Sequence, residues 1–229
     1  MATIQELLCE ALKAGNLADA TEHLQNGADA NAKDEQGHAV LFHTAFYDQV
    51  DLAELLIANG ADVNVEDEQL GWPPLFFAAH KGYRDVAELL IAKGASVNIK
   101  DRGGYSLLHH IVFVGHIDVA KLLLDNGADV NARDKDGNTP LFFATKEGFK
   151  HIAELICAYH ADVDVKNLKG DSPLHWAVKG DNWDVVRTLL VRRADVNSKD
   201  AEGRTPLRYA IIRGNQDIAQ LLREHGAVE

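Results

Sequence analysis

Two serine–histidine pairs, Ser106 with His109 and Ser172 with His175, carry residue types that can act as nucleophile and base, and the 11 histidines of the chain could in principle hold a metal. A catalytic serine needs its base within hydrogen-bond reach and a third group to orient that base. Here each serine opens an apolar helical stretch, with its histidine three residues on, at matching places in a repeated pattern. A helix-capping serine with a structural histidine accounts for both pairs. His109, His110 and His116 form the densest histidine group, but neighbours along a helix point in different directions. The chain has no Gly-Lys-Ser/Thr phosphate loop and no His-Glu-x-x-His helix. Gly103-Gly104 falls where every other unit has a turn. Cys9 and Cys157 form no CxxC pair and read as small buried hydrophobes of a reducing compartment. The expectation is a non-catalytic chain without metal or cofactor.

Composition narrows the class further. The 229 residues are 46% hydrophobic and 25% charged, with a net charge of −12. Residues 1–133 hold 9 Lys+Arg and 20 Asp+Glu, a net of −11; residues 134–229 hold 14 and 15, a net of −1. An acidic chain repels phosphate backbones, which argues against nucleic acid as partner. No apolar run approaches the roughly 18 residues needed to span a bilayer. Met1 to Ala14 reads as an amphipathic helix and lacks the basic start and apolar core of a signal peptide. The expected location is intracellular, cytoplasmic, with the nucleus left open.

The elements that position these residues repeat. Gly37, Gly71, Gly104, Gly137, Gly170 and Gly203 recur every 33 residues, with one step of 34. Each precedes a similar segment, clearest in Asn138-Thr139-Pro140-Leu141, Asp171-Ser172-Pro173-Leu174 and Arg204-Thr205-Pro206-Leu207. Thr or Ser before Pro predicts a capped helix start. Gly82, Gly115, Gly148 or Gly214 then ends a first helix. A second helix carries the Leu-Leu pairs 55–56, 89–90, 122–123, 189–190 and 221–222. Gly60, Gly94, Gly127 and Gly226 supply left-handed caps after it.

This pattern resembles the ankyrin repeat across essentially the whole chain. The resemblance implies an all-α fold: a solenoid of stacked antiparallel helix pairs with β-hairpin or β-turn fingers. About seven units are expected in a single domain spanning 1–229: 1–33 as N-terminal cap, 34–66, 67–100, 101–133, 134–166, 167–199, and 200–229 as C-terminal cap. Thr3 to Glu6 fits a capping box at the start. The family's histidine, which ties neighbouring turns, stands at His109 and His175; Phe42, Phe76 and Phe142 replace it, exchanging polar ties for apolar packing. His160 and Arg193 take the glycine position after the second helix, and Asp48 and Asp181 the one after the first. The units over 134–199 are therefore expected to form the softest joint. Leu70 is inserted, which should distort the third finger.

The resemblance also implies function: recognition of a protein partner through the concave surface of fingers and first helices, by a chain monomeric on its own. In that register the expected partner-binding residues are Phe46, Tyr47, Trp72, His80, Tyr105 and Phe113 on the earlier units. Lys146, Lys179 and Arg204 carry the basic character of the later ones. Trp72 and Tyr105 fall at finger tips. Phe46 and Phe113 could instead pack against neighbouring helices, and the basic residues could be a solvated face. Asn64 and Asn131 resemble sites of asparaginyl hydroxylation in family members, although a structural turn Asn explains them as well. A regulatory subunit or modification substrate, and a stack with no natural partner, are the alternatives.

Overall fold

The computed structural model describes residues 2–68 and 71–229. The expected distortion at Leu70 lies outside them. The chain divides into two compact units, Met1–Asp101 and Arg102–Glu229. Among the described residues every element is a helix.

The first unit holds α1 (Ile4–Ala14), α2 (Leu17–Gln25), α3 (Val40–Phe46), α4 (Val50–Ala58), α5 (Pro74–Lys81) and α6 (Arg84–Ala92). Consecutive helices pair across short turns. The first helices α1, α3 and α5 pack in one layer, and α2, α4 and α6 in the next. The second unit repeats the plan with α7 (Leu107–Val114), α8 (Ile117–Asp125), α9 (Pro140–Glu147), α10 (Lys150–Ala158), α11 (Pro173–Lys179), α12 (Trp183–Val191), α13 (Pro206–Ile212) and α14 (Gln216–Glu224). In each unit the core lies between the two layers, where helical periodicity gathers the apolar side chains. Leu8, Leu12, Leu41, Leu56, Leu75 and Leu90 are buried in the first unit, and Leu108, Ile111, Leu123, Leu141, Ile156, Leu174 and Leu189 in the second. Each such side chain contributes about 1.5–3 kcal/mol relative to exposure.

Helix starts follow two schemes. In the histidine units the side chains cap: Ser106 Oγ accepts from His109 N–H, and His109 Nδ1 accepts from Ser106 N–H at 3.0 Å. In the phenylalanine units the backbone tightens instead, with Phe42, Phe76 and Phe142 N–H donating to the carbonyls of Ala39, Pro73 and Thr139, each at 2.9 Å. That bond explains a departure from expectation at Thr139. Its hydroxyl caps nothing and is buried without a partner. The Phe142 N–H it would accept is already used, and α9 starts on Pro140. Thr205 and the Thr3–Glu6 box cap as expected.

The fingers are turns rather than extended hairpins; an isolated antiparallel bridge joins Lys33 and Ala39, and Lys100 and Ser106 also stand as bridge residues. Four of them are closed by an Asp or Asn side chain accepting two N–H groups: Asp34 from Gln36 and His38, Asp134 from Asp136 and Asn138, Asn167 from Lys169 and Asp171, Asp200 from Glu202 and Arg204. In the second unit the finger tips also join by backbone bonds, Leu168 N–H to Asp136 carbonyl at 2.9 Å and Ala201 N–H to Lys169 carbonyl at 3.0 Å. That approach requires glycine at Gly170, where φ is +73° and a Cβ would lie 2.6 Å from Ala201 N.

Candidate functional site

The fingers and first helices present one face in each unit. In the first unit α3 ends on Phe46 and Tyr47, which are 43% and 55% exposed and meet edge to face at 5.3 Å. Of the two positions left open for Phe46, the structure gives the exposed one. A cavity of about 320 Å³ opens beside them, lined by residues of the second and third helix pairs. Phe42 and Phe77 form an edge-to-face wall at 5.4 Å. Asp34 and Asp67, both buried, supply carboxylates, and His38 and His43 supply imidazoles. His38 Nε2 lies 3.3 Å from Asp67 and His43 Nε2 lies 3.0 Å from Asp34. Burial works to raise the Asp34 carboxyl, but the N–H groups of His38 and Gln36 and the adjacent rings outweigh it and hold it below the usual carboxylate range.

Trp72 is not the exposed tip residue its register implies. It is 8% exposed and stacks on Phe76 at 4.0 Å, because the finger turns it back onto the first helix. His80 is exposed at the end of α5 and lies 5.5 Å from Phe76.

In the second unit Phe113 is 53% exposed at the end of α7, whereas Tyr105 is half-buried against Phe143 at 5.7 Å. Phe143 in turn meets Trp176 at 6.2 Å, so an aromatic row runs along the first helices. Lys146 is exposed beside Glu147. Lys179 and Arg204 instead turn inward. Lys179 Nζ donates to Asp171 at 2.6 Å and lies 4.2 Å from the Tyr209 ring. Arg204 donates to Asp200 at 3.1 Å and lies 4.8 Å from the same Tyr209 ring. Of the residues expected from register, Phe46, Tyr47, His80, Phe113 and Lys146 are exposed, Tyr105 is half-buried, and Trp72, Lys179 and Arg204 turn inward; sequence reasoning missed the cavity residues Asp34, His43, Asp67 and Phe77. The signal lay in comparing the same register position between adjacent units rather than within one.

The remaining candidates for chemistry are hydrogen-bonded between repeats or buried. His109 Nε2 donates to the Asn138 carbonyl at 3.1 Å, and His175 Nε2 to the Arg204 carbonyl at 3.0 Å, each in the next unit. A carbonyl only accepts, so the proton sits on Nε2, and Nδ1 is left to accept from the serine. Each Nδ1 lies 2.8 Å from its serine Oγ and also accepts that serine's N–H, so each imidazole ties its own helix start to the next turn. Asn64 donates to the Gly94 carbonyl and accepts from Ser96 N–H; Asn131 accepts from Asp162 N–H. Both asparagines are staples between successive units. Cys9 and Cys157 are buried, and burial raises both thiols above their ordinary value. Among the described residues no histidine, cysteine and carboxylate group could hold a metal, and no helix is long and apolar enough to cross a membrane.

Burial lowers the pKa of His175, outweighing the pull of the Arg204 carbonyl, and lowers that of His43 against the Asp34 carboxylate. The unfolded chain therefore takes up these protons at higher pH than the folded one. Their contribution to stability is complete above the ordinary value of 6.5 and declines as pH falls below it. The urea midpoint is expected to drop between about pH 7.5 and about pH 5.5, and a His43→Phe, His175→Phe double variant should flatten that slope. An unchanged slope in the double variant would refute the assignment.

The comparisons with known proteins agree with this geometry. The model for ankyrin repeats matches three times, over residues 8–101, 98–167 and 155–228. The chain belongs to the ankyrin repeat family. A relative, ankyrin repeat-containing protein P1E11.10 of Schizosaccharomyces pombe, is 36% identical over 55 residues, which is 24% of this chain and 26% of the relative. The match thus spans about a quarter of that curated protein. Ankyrin repeats generally mediate protein–protein interaction and are typically non-catalytic.

Proposed function

We propose that this ankyrin chain is an intracellular, non-catalytic scaffold that binds a protein partner through its finger and first-helix face. The observation that carries the reading is the solvent-exposed pair Phe46 and Tyr47 beside a preformed cavity. Large aromatics left in water at the rim of a concavity are the usual anchors of an interface. His80 extends this face in the first unit, and Phe113 with Lys146 offers a further contact in the second. The backbone beneath is held by turns and staples, so little ordering entropy is lost on binding.

The test is selection of ligands from a displayed protein-fragment library, followed by affinity measurement. A Phe46→Ala, Tyr47→Ala double variant is expected to weaken selected ligands by at least about 30-fold, on the order of 2 kcal/mol or more. Glu54→Ala, on the second-helix layer, should leave binding intact. Ligands indifferent to the double variant, or a library yielding none, would overturn the reading.

A further inference from the structure

The repeat places two aromatic–carboxylate corners in the same register, one filled from within and one open. In the filled corner, between the units starting at Asn167 and Asp200, the Lys179 ammonium sits 2.6 Å from Asp171 and 4.2 Å from the Tyr209 ring centroid. Trp176 closes it, donating its indole N–H to Asp171 at 3.3 Å. The carboxylate neutralises the charge, and the ring face adds a cation–π attraction.

The counterpart lies between the units starting at Asp34 and Asp67. Phe46 stands where Lys179 stands, Phe77 where Tyr209 stands, and Asp67 where Asp200 stands. Tyr209 keeps a ring counterpart in Phe77 and Asp200 a carboxylate in Asp67, but the lysine is lost, its partner Asp171 is replaced by His38, and Asp34, in place of Asn167, supplies the second carboxylate instead. What results is the cavity of about 320 Å³, walled by Phe42, Phe46, Tyr47 and Phe77 with Asp34 and Asp67 behind them. No Lys or Arg lines it. Lys81 lies over the Phe46 ring at 4.6 Å but is not part of the lining. His38 spans the two carboxylates, 3.7 Å from Asp34 and 3.3 Å from Asp67. The surrounding unit has the matching sign: residues 1–101 hold 6 Lys+Arg and 17 Asp+Glu, a net of −11 out of the chain's −12.

We propose that this cavity receives a lysine side chain from a basic segment of the partner, which supplies in trans the cation that Lys179 supplies internally in the later corner. The inference rests on the partner-binding reading above and names the partner's chemistry. The lysine stem packs along Phe46 and Tyr47, as long charged side chains do on apolar surface, and its ammonium reaches the side of Asp67. Long-range attraction to the acidic unit speeds the approach of such a segment and makes it salt-dependent.

The test uses the full chain and small probes. N-acetyl-lysine methylamide is titrated into isotope-labelled protein, with its arginine, trimethyllysine and norleucine counterparts in parallel, and the ring resonances of Phe42, Phe46, Tyr47 and His38 are followed by NMR. Lysine is expected to shift these rings saturably, at roughly millimolar concentration. Norleucine, with the same stem and no charge, should respond at least tenfold more weakly. Phe46→Lys provides the cation internally and should reduce the lysine response at least tenfold, its helical circular dichroism being unchanged. Equal responses to norleucine and lysine would overturn the proposal. So would shifts scattered over the acidic surface, or a response confined to arginine or trimethyllysine. If Phe46→Lys does not fold, the lysine–norleucine comparison on the parent chain decides. Selected partners that need Phe46 and Tyr47 while the cavity ignores lysine would sink this inference alone. A cavity that takes lysine on a chain that selects no partner would sink the preceding reading alone.

Discussion

Replacing His175 with alanine is expected to cost about 3–4 kcal/mol and to loosen the last helix pair before the rest of the second unit. The imidazole is fully buried and serves three groups: the Ser172 N–H, the Ser172 hydroxyl and the Arg204 carbonyl. Alanine leaves these without their partner and opens a void under Tyr209, whose ring lies 6.0 Å from that of His175. Each orphaned buried group costs about 1–3 kcal/mol, partly relieved where water can enter. Phenylalanine should cost less, because Phe142 occupies the same register position fully buried and packs edge to face on Trp176 at 5.2 Å. His175→Phe keeps the packing and loses the bonds, for about 1–2 kcal/mol. Equilibrium urea unfolding gives the cost. Hydrogen exchange over α13 and α14 shows where it falls, since a repeat stack can open from an end. A loss below about 1 kcal/mol for alanine would mean that the tie between these turns is not what holds the last pair.

The comparison between those two residues shows what a repeat sequence makes legible. Register alone identified the tying histidines, the phenylalanines that stand in for them and the left-handed positions, because each is dictated by backbone geometry common to all units. It did not give the direction of long or large side chains. Trp72 and Tyr105 share one register position, yet Trp72 folds onto Phe76 and Tyr105 leans on Phe143. Lys146 and Lys179 also share a position. Lys146 stays in water, whereas Lys179 turns in because Asp171, at the position held by Asn138 in the preceding unit, offers it a carboxylate. Such choices depend on which neighbour offers a partner: Phe76 four residues on for Trp72, Asp171 eight residues back for Lys179, and Phe143 in the next repeat for Tyr105. The cavity was hidden because its walls come from two successive repeats.

The same geometry predicts where stability can be gained. His160 and Arg193 have φ of 63°, at positions where Gly60, Gly94, Gly127 and Gly226 take 82° to 97°. An L side chain there crowds the following carbonyl by roughly 1–2 kcal/mol, whereas glycine meets no such clash but loses more backbone freedom on folding. The difference leaves a gain of about 0.5–1 kcal/mol for His160→Gly and for Arg193→Gly, additive because they cap different helices. Both side chains are exposed, so little contact is lost with them. Asp48 and Asp181, with φ of 57° and 60°, should gain less. Aspartate tolerates the left-handed region better, and Asp181 also accepts a hydrogen bond from Asn215 that glycine would forgo. The His160→Gly, Arg193→Gly double variant should raise the unfolding free energy by about 1–2 kcal/mol. It should also slow hydrogen exchange over residues 134–199, whose units carry both strained caps. If exchange there already matches the neighbouring units in the parent chain, or if the double variant is no more stable, the strain is absorbed elsewhere and this stretch is not a soft joint.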